Sequence, residues 1–146
     1  MIATKGWERM ARKLIDKPRN GGKWTESKFR SFVISQLRRA RWPAKYEAIA
    51  RAYVGMGTNP ATGRRCKLHK CEQCGGIFAK GDMRADHRVP IVDPATGFVD
   101  WNTWIARCFV EAAEFDVICV ECHAAKTAEE RAIATARRKK EKEANK

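Results

Sequence analysis

Two Cys-x-x-Cys pairs, Cys71/Cys74 and Cys119/Cys122, constrain this chain more than any other feature. A two-residue spacer lets both thiolates of a pair reach one tetrahedral ion at about 2.3 Å, and two pairs supply the four ligands of a closed structural zinc site. Gly75 and Gly76 follow the first pair and permit the tight turn such a site needs. Residues 75–118 lie between the pairs, so the ion would clamp the two ends of an intervening module. Cys66 stands near Cys71 as a possible substitute ligand, and Cys108 reads as a core residue. The compartment matters for this reading. The opening segment MIATKGWERMARKLID has no apolar core of the signal-peptide kind, and no run of about 18 apolar residues offers a membrane span. The expectation is a cytoplasmic protein without a membrane partner, in a reducing environment where paired cysteines serve metals more often than disulfides.

Charge supplies the second constraint. The net charge is +13 and the isoelectric point about 9.9. A field of that sign draws polyanions, nucleic acid first. The charge is unevenly placed: residues 1–65 carry 16 Lys/Arg against 4 Asp/Glu, residues 66–126 carry 7 against 9, and residues 127–146 carry 7 against 4. All cysteines and histidines fall in the slightly acidic middle. Acidic groups suit a divalent cation and the basic flanks suit phosphates. The sequence therefore divides into a basic helical arm at 1–65, a zinc-stapled domain at 66–136 and a basic flexible tail at 137–146.

Local patterns place the elements. Asn20-Gly21-Gly22 is a break, after which Thr25 caps a helix over about 26–41. Phe29, Phe32, Val33, Leu37 and Ala40 line one face of it, with Lys28, Arg30, Arg38, Arg39 and Arg41 on the other. A second helix over about 44–54 sets Tyr46, Ile49, Ala50 and Tyr53 on one side, giving a helical hairpin with a basic outer surface that either binds phosphates or is simply solvated. Asn59-Pro-Ala-Thr-Gly63 and Asp93-Pro-Ala-Thr-Gly97 read as Pro/Gly turns. Asp100 caps a short helix with Trp101, Trp104, Ile105, Cys108 and Phe109 facing the core. Phe115–Ile118 reads as a strand. Thr127, with Glu130 three residues on, reads as the capping box of the last helix, which should fray beyond Arg137.

Between the pairs lies Met83-Arg84-Ala85-Asp86-His87-Arg88-Val89-Pro90, strand-like up to the proline, and directly after the second pair comes His123. Asp86, His87 and His123 form the one tight Asp/His grouping in the chain. A phosphodiester hydrolase needs a base to activate water and a cation to stabilise charge on the phosphorane. His87, with a reference pKa of about 6.5, suits the base. Asp86, on the other side of the strand, and His123 suit a divalent ion. His69, just before the first pair, reads as a surface residue or a phosphate contact.

The combination C-x-x-C, D-H-x-x-P and C-x-x-C-H-x-x-K-T-x-x-E, met by Cys71/Cys74, Asp86–Pro90 and Cys119–Glu130, resembles the zinc-containing HNH endonuclease family, and within it the small phage-encoded members. The resemblance covers about residues 66–130. It implies an α+β fold with a ββα-metal core, a four-cysteine zinc site and N-terminal helices. It also implies metal-dependent cleavage of DNA, double-stranded by expectation, with structural Zn²⁺ and catalytic Mg²⁺ or Mn²⁺, in a host cytoplasm if the chain is phage-encoded. His87 would be the base, and Asp86 and His123 would hold the catalytic metal. Lys28, Arg30, Arg38, Arg39, Arg41, Lys126, Arg131 and Arg137 would hold the DNA backbone. One departure stands out: Glu114 occupies the position where the family has the Asn that braces the base. Glu114 could make the same hydrogen bonds or add a carboxylate, Asn102 could supply an amide instead, or cleavage could be weakened. The rival readings are a zinc module that grips DNA or a protein partner without cutting, an RNA-directed zinc protein, and a redox protein using its Cys-x-x-Cys pairs.

Overall fold

In the computed structural model, residues 15–145 are described, and the chain divides between Arg41 and Trp42 into two compact units. In the first, α1 spans Glu26–Leu37, and the Thr25 side chain accepts from the Lys28 N–H at its start. The Asn20-Gly21-Gly22 segment is an ordered turn with positive φ throughout, closing a bridge between Arg19 and Trp24. Arg19 reaches from that turn to Glu26 at 2.8 Å and lies over the Phe29 ring at 4.5 Å. The turn thus docks on its own helix. None of the α1 residues is buried, and the helix stops at Leu37 rather than near 41.

The second unit begins with α2, Pro43–Arg51. Its fully buried face is Ala44 and Ala48, continued by Ala52; of the expected Tyr46, Ile49, Ala50 and Tyr53 side, Ile49 packs partly against the core while Tyr46 and Tyr53 are exposed. Small residues at i, i+4 and i+8 let the helix lie close against the strands. They pack with Met83, Phe115, Val117, Ile118 and Cys119 in one core. Residues 42–65, grouped with the N-terminal arm on charge alone, are therefore packed in the same unit as the cysteines.

Two small antiparallel sheets follow. β1 (Tyr53–Thr58), β2 (Arg65–Lys70) and β3 (Ile77–Ala79) form one; β4 (Met83–His87) and β5 (Phe115–Cys119) form the other. The two Pro/Gly turns share one hydrogen-bond pattern. Asn59 and Asp93 each accept a backbone N–H two residues on through the side chain, while Gly63 and Gly97 each donate back to the first residue's carbonyl with φ of 69° and 82°. The first joins β1 to β2. The second lies in the insertion between β4 and β5, where α3 (Trp101–Cys108) is capped by Asp100 and buries Trp104 and Cys108.

The last helix differs from expectation. α4 runs Val120–Ala144, starting seven residues before Thr127, because the Cys119 sulfur caps it by accepting from the Cys122 N–H. It stays helical past Arg137, whose guanidinium pairs with Glu141 at 3.1 Å and sits where any side chain at Gly97 would have to go. No helix among the described residues is long and apolar enough to cross a membrane.

Candidate metal centres

The sulfurs of Cys71, Cys74, Cys119 and Cys122 all lie within 4.8 Å of one another. A tetrahedral ion with metal–sulfur bonds of about 2.3 Å needs its sulfurs some 3.8 Å apart, so the four thiols could hold a metal such as zinc. The backbone is built for it. Cys71 Sγ accepts the N–H of Cys74 at 3.5 Å and that of Cys119 at 3.3 Å, so each chain segment points a donor at the sulfur of the first pair. Burial opposes ionisation of Cys71, but the N–H donors of Cys74, Cys119 and Gln73 prevail and bring its pKa down to about 6. Cys122 is pushed up to about 12 by hydrogen bonding to Cys119, by burial and by its other sulfur neighbours. One thiolate forms readily while Cys74 and Cys122 resist further charge, a tension that a divalent cation would relieve. Cys66 stays apart, opposite Gly57 in the β1–β2 pair, and Cys108 is buried in α3.

Two residues that the motifs do not flag lock this centre to the fold. Glu72, inside the first pair, donates its N–H to the Val117 carbonyl at 2.9 Å and accepts the Val117 N–H on its carboxylate at 2.8 Å. Arg51, at the end of α2, donates to Glu72 at 2.9 Å, to the Ala112 carbonyl at 3.0 Å and to the Phe115 carbonyl at 2.8 Å. Helix, cysteine loop and β5 are thereby joined. No local sequence pattern announces a contact that spans 21 to 64 residues.

The second cluster lies between β4 and the first turns of α4. Asp86 Oδ1 is 3.6 Å from His123 Nε2, and Asp86 Oδ2 accepts from Lys126, which also donates to the His87 carbonyl at 2.9 Å. His123 and Lys126 are three apart on a helix and so share a face. Asp86 stands opposite Asp116 in the hairpin register, and Asp116 pairs with Arg88 at 3.0 Å. His87 alternates to the other face, opposite Phe115. Its ring lies 4.7 Å from the Phe115 ring, and its Nε2 is 2.9 Å from the Cys108 carbonyl at the end of α3. The structure therefore brings Asp86, His123 and Lys126 together and holds His87 at the end of the same hairpin through the insertion.

The remaining candidates scatter. Glu114 is exposed at the foot of β5, and its backbone carbonyl accepts from the Arg88 N–H at 2.9 Å. Asn102 is exposed on α3. Arg38, Arg39 and Arg41 are exposed, as is Arg131 on α4; Lys28 lies over the Trp24 ring at 5.2 Å, and Arg30 is half-buried. Arg137 is mostly covered, which fits a packing role as well as a phosphate contact. His69 is not a surface residue: it is 2% exposed in β2, and burial lowers its pKa.

No family model, curated protein or solved structure matches the chain.

Proposed function

We propose that the chain is a metal-dependent DNA endonuclease of the HNH kind. On this reading the order β4, β5, α4 is the ββα-metal core, and the four thiols hold a structural zinc. The observation that carries the reading is the 3.6 Å approach of the Asp86 carboxylate to the His123 imidazole across two segments far apart in sequence. A hard carboxylate and an imidazole fit one Mg²⁺ or Mn²⁺, leaving positions for water and phosphate. Such an ion would stabilise charge on the phosphorane and on the leaving oxygen.

The chain's own residues have distinct parts. Asp86 and His123 would hold the ion. Lys126, already against Asp86, would turn to a phosphate oxygen. His87 would take the proton of the attacking water, oriented by the Cys108 carbonyl in place of the family's Asn. The basic residues of α1 and Arg131 would contribute sequence-independent, salt-sensitive grip on the backbone.

A second reading has its own support. Lys126 holds the very carboxylate that the ion needs, and Glu114 replaces an amide; both suit a module that binds DNA without cutting it. A plasmid-nicking assay with Mg²⁺ and with Mn²⁺ separates the two. The nuclease reading expects nicking that falls by about 10²–10⁴ in His87→Ala, the usual worth of a general base. Absence of nicking with either ion, while DNA is still bound, establishes the binding module.

A further inference from the structure

On the three-stranded sheet, apart from both clusters, α2 and β2 enclose a cleft of about 290 Å³ lined by Tyr46, Ile49, Tyr53, Lys67, His69 and Lys80. We propose that this cleft binds a nucleotide, its phosphate between Lys67 and Lys80 above His69 and its base against Tyr46 and Tyr53.

Three independent features converge. First, the cleft is cationic without internal neutralisation: neither Lys67 nor Lys80 forms an ion pair among the described residues, and both stand near enough to His69 to disfavour its protonation. Cations that find no carboxylate within the fold are available to an anion. Second, His69 lines the cleft, 2% exposed; the Lys67 backbone favours a proton on its ring, yet its Nδ1 has no hydrogen bond of good geometry. A buried polar nitrogen left unpaired is costly, and a ligand oxygen would satisfy it. Third, the rim is aromatic. Tyr46 is 54% and Tyr53 45% exposed, and Tyr53 already meets the His69 ring edge-on at 5.8 Å. Exposed tyrosines beside a basic floor are the means by which proteins hold an unpaired base. Inorganic phosphate would satisfy the lysines but leave the tyrosines unused. A carboxylate peptide would use neither ring in stacking. The cleft sits near the lower end of the volumes of small-molecule sites, which suits one nucleotide rather than a duplex.

The nucleotide is either free or an unpaired unit of a strand, and the test separates these sources. It uses the full chain loaded with metal, and it does not depend on cleavage. The imidazole resonances of His69, one of three histidines in the chain, are followed by NMR during titration with dTMP, with a short oligothymidylate and with inorganic phosphate. Saturable movement of the His69 signals is expected; a response to dTMP marks a free nucleotide, and a response to the oligothymidylate alone marks a strand unit. Tyr53→Leu, which keeps the charge, and the double variant Lys67→Ala/Lys80→Ala should each weaken binding by about tenfold, while the control Lys139→Ala/Lys140→Ala should change it by less than about threefold. Signals of His69 that stay still with every ligand overturn the proposal. So does inorganic phosphate binding as tightly as dTMP, or equal losses in the control and cleft variants. A chain that binds dTMP here yet nicks no plasmid would sink the nuclease reading alone.

Discussion

The two clusters of chemistry-bearing side chains are held in opposite ways. The four thiols are set by backbone: N–H groups of Cys74 and Cys119 point at one sulfur, and Arg51 and Glu72 tie the first cysteine loop to α2 and β5. The Asp86–His123 cluster is set mainly by its side chains: Lys126 occupies one of the carboxylate oxygens, and its link to the His87 carbonyl is the cluster's one main-chain anchor among the described residues. A centre braced by main chain keeps its shape under most substitutions. A centre made of three side chains can rearrange, and the proposed admission of an ion and a phosphate would require that freedom.

The contrast is broken most severely by removing the metal. If the four thiols hold zinc, a strong chelator, or Cys119→Ser, is expected to abolish the cooperative melt of the Trp42–Lys146 unit, since a structural zinc contributes about 10 kcal/mol or more of apparent binding free energy. Circular dichroism with metal analysis checks this, and an unchanged melt without metal would remove the distinction. Next comes Arg51→Ala, expected to cost about 1–3 kcal/mol by denaturant titration, because the Ala112 and Phe115 carbonyls and Glu72 lose a shared donor.

A smaller effect is expected from acid. Burial lowers the pKa of His69 below its ordinary 6.5, so the folded chain prefers the neutral ring while the unfolded chain takes up a proton at the ordinary value. Its contribution is therefore complete above that value and lost as pH falls below it. Thermal melts between neutral and mildly acid pH should fall more steeply for the native chain than for His69→Phe, and parallel curves would count against it. The smallest change in stability is expected for His123→Ala, whose side chain is 40% exposed, and a somewhat larger one for Asp86→Ala, which leaves Lys126 without its carboxylate. On the nuclease reading any DNA nicking should nevertheless vanish in both variants, which would place the two clusters at opposite ends of the same comparison.

Much of this is legible in the sequence. Cysteine spacing finds the four-thiol cluster because a two-residue gap is itself the geometric requirement. Thr25 and Asp100 announce their helices because a cap is a local hydrogen bond. The start of α4 escapes the sequence because a sulfur, not the hydroxyl of Thr127, caps it. The packed face of α2 escapes it because alanines carry little apolar signal, although their smallness allows the close approach. Arg51, Glu72 and the burial of His69 depend on contacts between distant segments, which periodicity does not encode. Both Asx-Pro-Ala-Thr-Gly turns follow from local chemistry and are found as expected.

Cys119 is at once the last residue of β5, the cap of α4 and a member of the thiol cluster. Strand register and helical phase are thus indexed from a single atom. Because successive residues of an α-helix turn by about 100°, His123 and Lys126 overlook Asp86 only while the count from that sulfur is kept. Inserting one residue after Cys122 would leave both cysteine pairs intact and swing the imidazole a quarter-turn or more off its carboxylate. In this fold the shared cysteine serves as the zero mark of a protractor, and the spacing C-x-x-C-H-x-x-K is an angle written as a sequence.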